Sequence, residues 1–233
     1  MRKIFRKVRI GIKSIRYQPN NLPYKVDYDE YWKNFKAFGP LNSFQKERAE
    51  FIANRISSNS TLLDLGSGDG ALMNYLQLKN NTIEITVSDN SDYALSHLKL
   101  FFKNVIKFDL NDINNYSFNQ YDYITGLEVL EHIMAPELLL KSMISKSKKG
   151  VFISFPNSGY IFYRLRLLFG RFPLQWRYHP SDHIRFWTKK DLVWWLEKLD
   201  FKNYEIHSYE GLPLLNKINS SLFSEAFIIY IKK

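Results

Sequence analysis

From about residue 42 onward, two hydrophobic periods take turns along the chain. Runs at 61–65, 83–87, 105–108, 121–125 and 151–155 are short and apolar, and they predict strands. Stretches at 71–78, 93–102 and 136–145 carry apolar residues at helical spacing between them. Asn42 or Ser43 can cap an earlier helix that runs to about residue 56, and Pro136 suits the first turn of its helix. Thr188-Lys-Lys-Asp191 reads as a capping box with Asp in place of the usual Glu or Gln. It opens a helix with Leu192, Trp195, Leu196 and Leu199 on one face, and 223–231 reads as a terminal strand. Strands alternating with helices predict an α/β fold with a mostly parallel, doubly wound sheet.

Two regions depart from this alternation, the first 40 residues and one later stretch. Residues 1–16 place Ile4, Val8, Ile12 and Ile15 at helical spacing, with Phe5 beside them and cations at most other positions. That predicts a short amphipathic basic helix, either packed lightly on the body or touching an anionic membrane or partner. Residues 17–40 surround the aromatics Tyr28, Tyr31, Trp32, Phe35 and Phe38 with prolines, asparagines and a glycine, and predict a loop and short helix folded over something. We therefore divide the chain into an arm and aromatic lead-in at 1–40 and a main domain at 41–233. The second departure, at about 156–187, is long for a plain connection, and insertions of that length usually carry function.

Composition narrows the chemistry. The 233 residues include no cysteine, which excludes disulfides, Cys-based metal sites and thiol nucleophiles and fits a reducing compartment. The net charge is +10, but residues 1–16 hold seven cations and no acid, leaving +3 for the rest. The basicity belongs to the arm, and no nucleic-acid-binding surface is expected. No apolar run is long enough for a transmembrane helix, and the basic N-terminus lacks a secretory pattern. A cytoplasmic protein is expected, with peripheral contact at the inner membrane surface through 1–16 as the reading the arm adds.

The chemistry starts in residues 62–70, Leu-Leu-Asp-Leu-Gly-Ser-Gly-Asp-Gly. Gly66, Gly68 and Gly70 alternate between a strand and a helix, where a ligand can approach main-chain amides. Asp64 lies inside the strand end. Asp89 follows the next strand, 19 residues past Gly70, at the usual distance for binding ribose hydroxyls, and Asp109 follows the third. The Gly-x-Gly-x-Gly spacing, with acids at three strand ends, suits a ligand with a cationic centre and no phosphate. S-adenosylmethionine is such a ligand.

The order Leu-Asp-Leu-Gly-Ser-Gly-Asp-Gly, Ser-Asp-Asn-Ser, Phe-Asp-Leu, then Tyr-Asp-Tyr-Ile-Thr-Gly-Leu-Glu-Val-Leu-Glu-His resembles class I S-adenosylmethionine-dependent methyltransferases from about residue 43 to the C-terminus. The run from Gly170 to Pro180, His183-Ile-Arg-Phe-Trp-Thr and the ending around Phe223 are similar to the MetW-like branch and to methyltransferases among surface-glycan enzymes. The resemblance implies a three-layer sandwich around a seven-stranded sheet with an antiparallel last strand, formed by a hairpin from about residue 204 to 231. It also implies S-adenosylmethionine as cofactor. Gly66, Gly68 and Gly70 would line its methionine part, and Asp64 would hold the loop or meet its amine. Asp89 would take the ribose hydroxyls and Asn90 would flank the adenine. Asp109 and the Leu110 amide would meet the adenine edge, and Glu128 would lie beside the methionine part or the sulfonium.

On the acceptor side, Glu128, Glu131 and His132 admit three readings: His132 as general base, the trio as a divalent-metal site, or all three as cofactor-side residues. The insertion holds His179, Asp182, His183 and Arg185 with Arg164, Arg166, Arg171 and Arg177, which suits an anionic, sugar-derived acceptor or else simply fills a lid. His132 and His183 are the candidate catalytic pair, and no metal is assigned. Nucleic-acid methylation is disfavoured, because the fourth strand ends in Gly-Leu-Glu-Val. The expected activity is methyl transfer to a hydroxyl of a small molecule. The alternative is a MetW-like partner protein assisting a homoserine acyltransferase in methionine biosynthesis.

Overall fold

The computed structural model describes residues 2–17, 27–34, 40–112, 118–172 and 182–233. The chain opens with α1 (Arg2–Arg16), α2 (Tyr28–Asn34) and α3 (Ser43–Ala53). The alternating part follows as β1 (Thr61–Leu65), α4 (Ala71–Lys79), β2 (Glu84–Asp89), α5 (Asp92–Leu98), β3 (Asn104–Lys107), β4 (Tyr121–Leu127), α6 (Pro136–Lys146) and β5 (Ser147–Pro156). It ends with α7 (Ile161–Leu168), α8 (Lys189–Lys198), β6 (Tyr204–Tyr209), α9 (Leu215–Ile218), α10 (Ser220–Phe223) and β7 (Ala226–Lys232). Every strand expected from the sequence is present. The terminal one starts at Ala226 because Phe223 closes α10 instead.

The sheet order is β3-β2-β1-β4-β5-β7-β6. Strands β1 to β5 pair in parallel, and β7 runs antiparallel to both β5 and β6. Both faces of the sheet are buried. Leu62, Ile85, Val87 and Phe152 face α3, α4 and α5, whereas Leu63, Leu65, Ile124, Val151 and Ile153 face α6 and α8. This is the three-layer sandwich, and it explains why its strands read as nearly continuous apolar runs. The chain reverses its winding at β1, which has β2 on one side and β4 on the other. In such sheets a crevice opens beyond the carboxyl ends of those strands.

Local rules fix the helix ends. Asn42 and Gln45 make a reciprocal capping box on α3, and Thr188 and Asp191 make the one expected on α8. Pro136 occupies the first turn of α6.

The N-terminal helix is more tightly bound than a loosely packed arm. It lies along α7, with Val8 and Ile15 against Tyr160, Phe162 and Leu212. Gly11 allows this approach, since a Cβ there would stand 2.3 Å from the Phe162 ring. Ile12, expected on the inner stripe with Ile4, Val8 and Ile15, is instead exposed, because Gly11 takes the point of closest contact. Lys7 reaches Glu210 at 3.0 Å and Glu225 at 3.1 Å. Arg166, buried, donates to the carbonyls of Ser14 and Ile15 and so satisfies the open C-terminal end of α1.

Candidate active site

The glycine loop leaves β1 at the crevice. Gly66, Gly68 and Gly70 all have positive φ, at 68°, 55° and 65°, a backbone that side chains disfavour. A Cβ on Gly66 would meet Val129 Cγ2 at 2.7 Å, so glycine is also required sterically. Asp89 Oδ2 accepts from the Gly68 amide at 2.9 Å, and its Oδ1 accepts from the Ser91 amide at 2.9 Å. The carboxylate at the end of β2 thereby holds the loop, and burial raises its pKa. Asp64 is buried and accepts from Thr125 Oγ1 at 2.6 Å. Burial raises its pKa to about 7 against the pull of that hydrogen bond. Its visible work is to tie β1 to β4. Asn90 and Asp109 are exposed beyond β2 and β3. Asp109 Oδ1 accepts from the Asn111 amide at 2.9 Å, and Leu110 is half-buried against the α6–α8 side of the core.

Helix α2 roofs this crevice. Trp32 lies on the glycine loop, where a Cβ on Gly68 would fall 2.5 Å from its ring. Asp29 Oδ1 accepts from Ser91 Oγ and from the Tyr93 amide at the start of α5. Tyr28 stands edge-on to His132, with ring centroids 6.5 Å apart. Helix α2, the described part of the aromatic lead-in, therefore folds over the glycine loop and reaches His132. Phe35 and Phe38 lie outside the described residues.

Beyond β4, Glu128 adopts a left-handed backbone with φ 56°, a strain of the kind that gathers at functional sites. Its amide donates to Ser154 Oγ at 3.0 Å, and its Oε1 accepts from the same hydroxyl at 2.7 Å. Glu128 Oε1 also pairs with Arg48 Nη1 at 3.2 Å. Arg48 comes from α3, lies within 3.3 Å of the Tyr209 hydroxyl, and buries an Nε with no partner. The sequence reading missed both Arg48 and Tyr209. A signal existed for the first: Arg48 is four residues after Phe44 and four before Ile52, a cation on an apolar stripe.

Glu128 is thus engaged away from the expected trio, and the neighbours of His132 are different. Glu131 is fully buried, and neither carboxylate oxygen has a hydrogen-bond partner. Its backbone carbonyl accepts from the amides of Ile184 at 2.9 Å and Arg185 at 3.1 Å, which pins the returning insertion above it. His132 Nδ1 contacts the Asp182 carbonyl and lies 3.2 Å from its Oδ1, whereas Nε2 faces Glu131 Oε1 at 4.0 Å. His183 packs edge-on against His132 at 4.7 Å, with a buried Nδ1 that has no partner. One ligand atom each from Glu131, His132 and His183 would fall within 4.8 Å of the others, so these three rather than Glu128 could surround a cation.

Electrostatics divides the two histidines. Burial works against protonated His132, but Asp182 and Glu131 outweigh it and raise its pKa to about 9. Burial, with His132 beside it, pushes His183 down to about 4 and keeps it neutral. Burial and neighbouring Glu128 raise the pKa of Glu131.

The arginines of the insertion divide differently from the expectation. Arg166 caps α1, Arg164 donates to the Gly159 carbonyl at 2.7 Å, and Arg185 donates to the Met134 carbonyl. These side chains serve backbone carbonyls, so an anionic acceptor loses much of its support. Arg177 and His179 lie outside the described residues. His97 rests against Phe101 and His207 stacks on Phe51, as structural histidines do.

The sequence profile described as a methyltransferase domain matches residues 40–206. Ubiquinone biosynthesis O-methyltransferase of Rickettsia bellii (strain OSU 85-389) is 26% identical over 224 residues, covering 87% of this chain and 90% of the relative. The protein of the same name from Dechloromonas aromatica is 24% identical with the same coverage. Among solved structures, an Archaeoglobus fulgidus SAM-dependent methyltransferase superposes with a TM-score of 0.61 at 18% identity, covering 88% of this chain and 98% of that one. Magnesium protoporphyrin IX methyltransferase from Synechocystis PCC 6803, solved with bound SAH, gives 0.56 at 13% identity, covering 96% and 94%.

Proposed function

The chain belongs to the methyltransferase domain family, and from that premise we propose that it methylates a hydroxyl of a small, sugar-derived or similarly polar acceptor, with His132 as the base. It is an S-adenosylmethionine-dependent enzyme. The residues fit that cofactor. The three positive-φ glycines offer open backbone, and Asp89 stands at the end of β2. Arg48 is a mostly buried cation with an unused Nε beside Glu128, suited to the carboxylate of an amino-acid group. Trp32 covers the loop from above. When bound, S-adenosylmethionine supplies an electrophilic methyl group on a positively charged sulfur.

The remaining work belongs to the protein. The roof of α2 and the returning insertion exclude water and align the acceptor, effects that can supply a large part of a methyl transfer's barrier lowering. A hydroxyl also needs a base. One observation carries this assignment: Asp182 holds Nδ1 of His132, which leaves Nε2 to take the proton. Neutral His183 and Tyr28 flank the imidazole and shape the acceptor's approach. A partner protein assisting an acyltransferase would need no such oriented imidazole, so the dyad favours the enzyme. The names of the similar proteins favour transfer to oxygen.

The partnerless Glu131 carboxylate favours a second reading, in which Glu131, His132 and His183 hold a divalent cation that activates the hydroxyl. Their chemistry fits, since a carboxylate and neutral imidazoles are ordinary ligands for such ions. One experiment separates the readings. Purified protein is screened with labelled S-adenosylmethionine against hydroxylated acceptors, with and without chelator. Activity that survives chelation and disappears in His132→Ala supports the base. Activity abolished by chelator and restored by Mg²⁺ or Mn²⁺ supports the cation. No methyl release with any acceptor, from protein that binds the cofactor, would count against both.

A further inference from the structure

Packing of α1 consumes one face of the helix and leaves the other unexplained. Val8, Gly11, Ile15 and Lys7 turn inward. Helical geometry places Arg9, Lys13 and Arg6 opposite them, with Phe5 and Ile12 on one flank and Ile10 on the other. Phe5 is 71% exposed, Ile10 56% and Ile12 57%. Arg6, Arg9 and Lys13 are exposed, and among the described residues no carboxylate pairs with them.

A second apolar group adjoins the end of the helix. Gly11 meets Phe162, and the carbonyls of Ser14 and Ile15 meet Arg166, so α1 and α7 run side by side in the same direction. Their C-terminal ends come together, and there Tyr17, Leu167, Leu168, Phe169 and Phe172 are all more than half exposed, with Leu168 at 77%. Large apolar side chains gathered at the rim of a cationic helix are costly in water and unusual on a free surface.

We propose that the outer face of α1, with the exposed end of α7, docks on the surface of an anionic lipid bilayer. Charge complementarity selects this occupant: seven cations and no acid fall in residues 1–16, whereas the rest of the chain is nearly balanced. A row of cations bordered by aromatic and aliphatic side chains matches headgroups above an acyl boundary. No described helix is long and apolar enough to cross a membrane, so the contact is peripheral. Helix α7 follows β5 at the end of the sheet that carries the candidate site, so docking turns that end toward the bilayer. The surface is separate from the glycine loop, and this inference and the methyl-transfer reading fail independently.

The test is sedimentation of the full chain with vesicles of phosphatidylcholine alone or with about one third phosphatidylglycerol. The protein should partition onto the anionic vesicles at least about tenfold better than onto neutral ones, and raised salt should weaken the binding. Phe5→Glu with Ile12→Glu, and separately Leu168→Glu with Phe169→Glu, should each cut partitioning at least about tenfold. S-adenosylhomocysteine affinity by calorimetry should stay unchanged and so report an intact fold. Arg6→Ser with Arg9→Ser and Lys13→Ser removes charge without touching the packed face and should act in the same direction. Equal binding to both vesicle types, no binding to either, or variants that partition like the unaltered chain would overturn the proposal.

Discussion

The half of the crevice proposed for the cofactor and the half proposed for the acceptor are built in opposite ways. The cofactor half is local. Gly66 to Gly70, Asp64 and Asp89 lie on two neighbouring strands and their turns, and backbone amides do most of the bonding. The acceptor half is assembled from distant segments. Tyr28 comes from α2, Glu131 and His132 from beyond β4, and Asp182 and His183 from the insertion. The first half rests on backbone conformation and tolerates few side chains. The second depends on side chains meeting at particular distances, so its variants should alter catalysis rather than cofactor binding.

The largest effect should fall on that second half. His132→Ala should lower turnover by about 10²–10⁴-fold, the usual worth of a positioned base, with cofactor affinity nearly unchanged by calorimetry. If both fall together, the two halves are not separable in this way. In the first half, Asp89→Ala should weaken S-adenosylhomocysteine binding by about 1.5–3 kcal/mol, the scale of a hydrogen bond to a charged group, through lost ligand contacts and a loosened Gly68 amide. An unchanged dissociation constant would remove Asp89 from the cofactor site.

Thr125→Val should cost about 1–3 kcal/mol of stability in urea melts, because it strips the buried Asp64 of its Thr125 donor. Normal turnover in the surviving folded fraction would mark Asp64 as scaffold rather than ligand.

The finest test concerns pH. His132 acts as a base only after losing its proton, and Asp182 and Glu131 hold that proton up to about pH 9. The ratio kcat/KM should therefore rise with pH, reach half its maximum near 9 and level off above it. Asp182→Asn removes a stabilising negative charge, so the rising limb should move to lower pH while the plateau drops through poorer orientation of the ring. A limb that does not move would separate Asp182 from His132.

Much of this molecule was determined by sequence alone. Strand runs, capping residues and alternating glycines act over a few residues, so the layered fold, the parallel sheet and the glycine loop were legible in the sequence. Neutral, local rules of this kind hold wherever the segment is placed. The sequence also singled out His132 and the insertion, and it held Glu128, Glu131 and His132 together as neighbours. Only the tertiary structure decided their partners. Glu128 turned to Arg48 and Ser154, Asp182 arrived 50 residues downstream to hold His132, and Arg166 was drawn 151 residues back to cap α1. Gly11 exchanged the expected inner position of Ile12 for a close approach to Phe162. The reason is physical. A buried charge or an open helix end is costly without a partner, and which partner comes within reach depends on how separate elements pack, not on the spacing of residues along the chain.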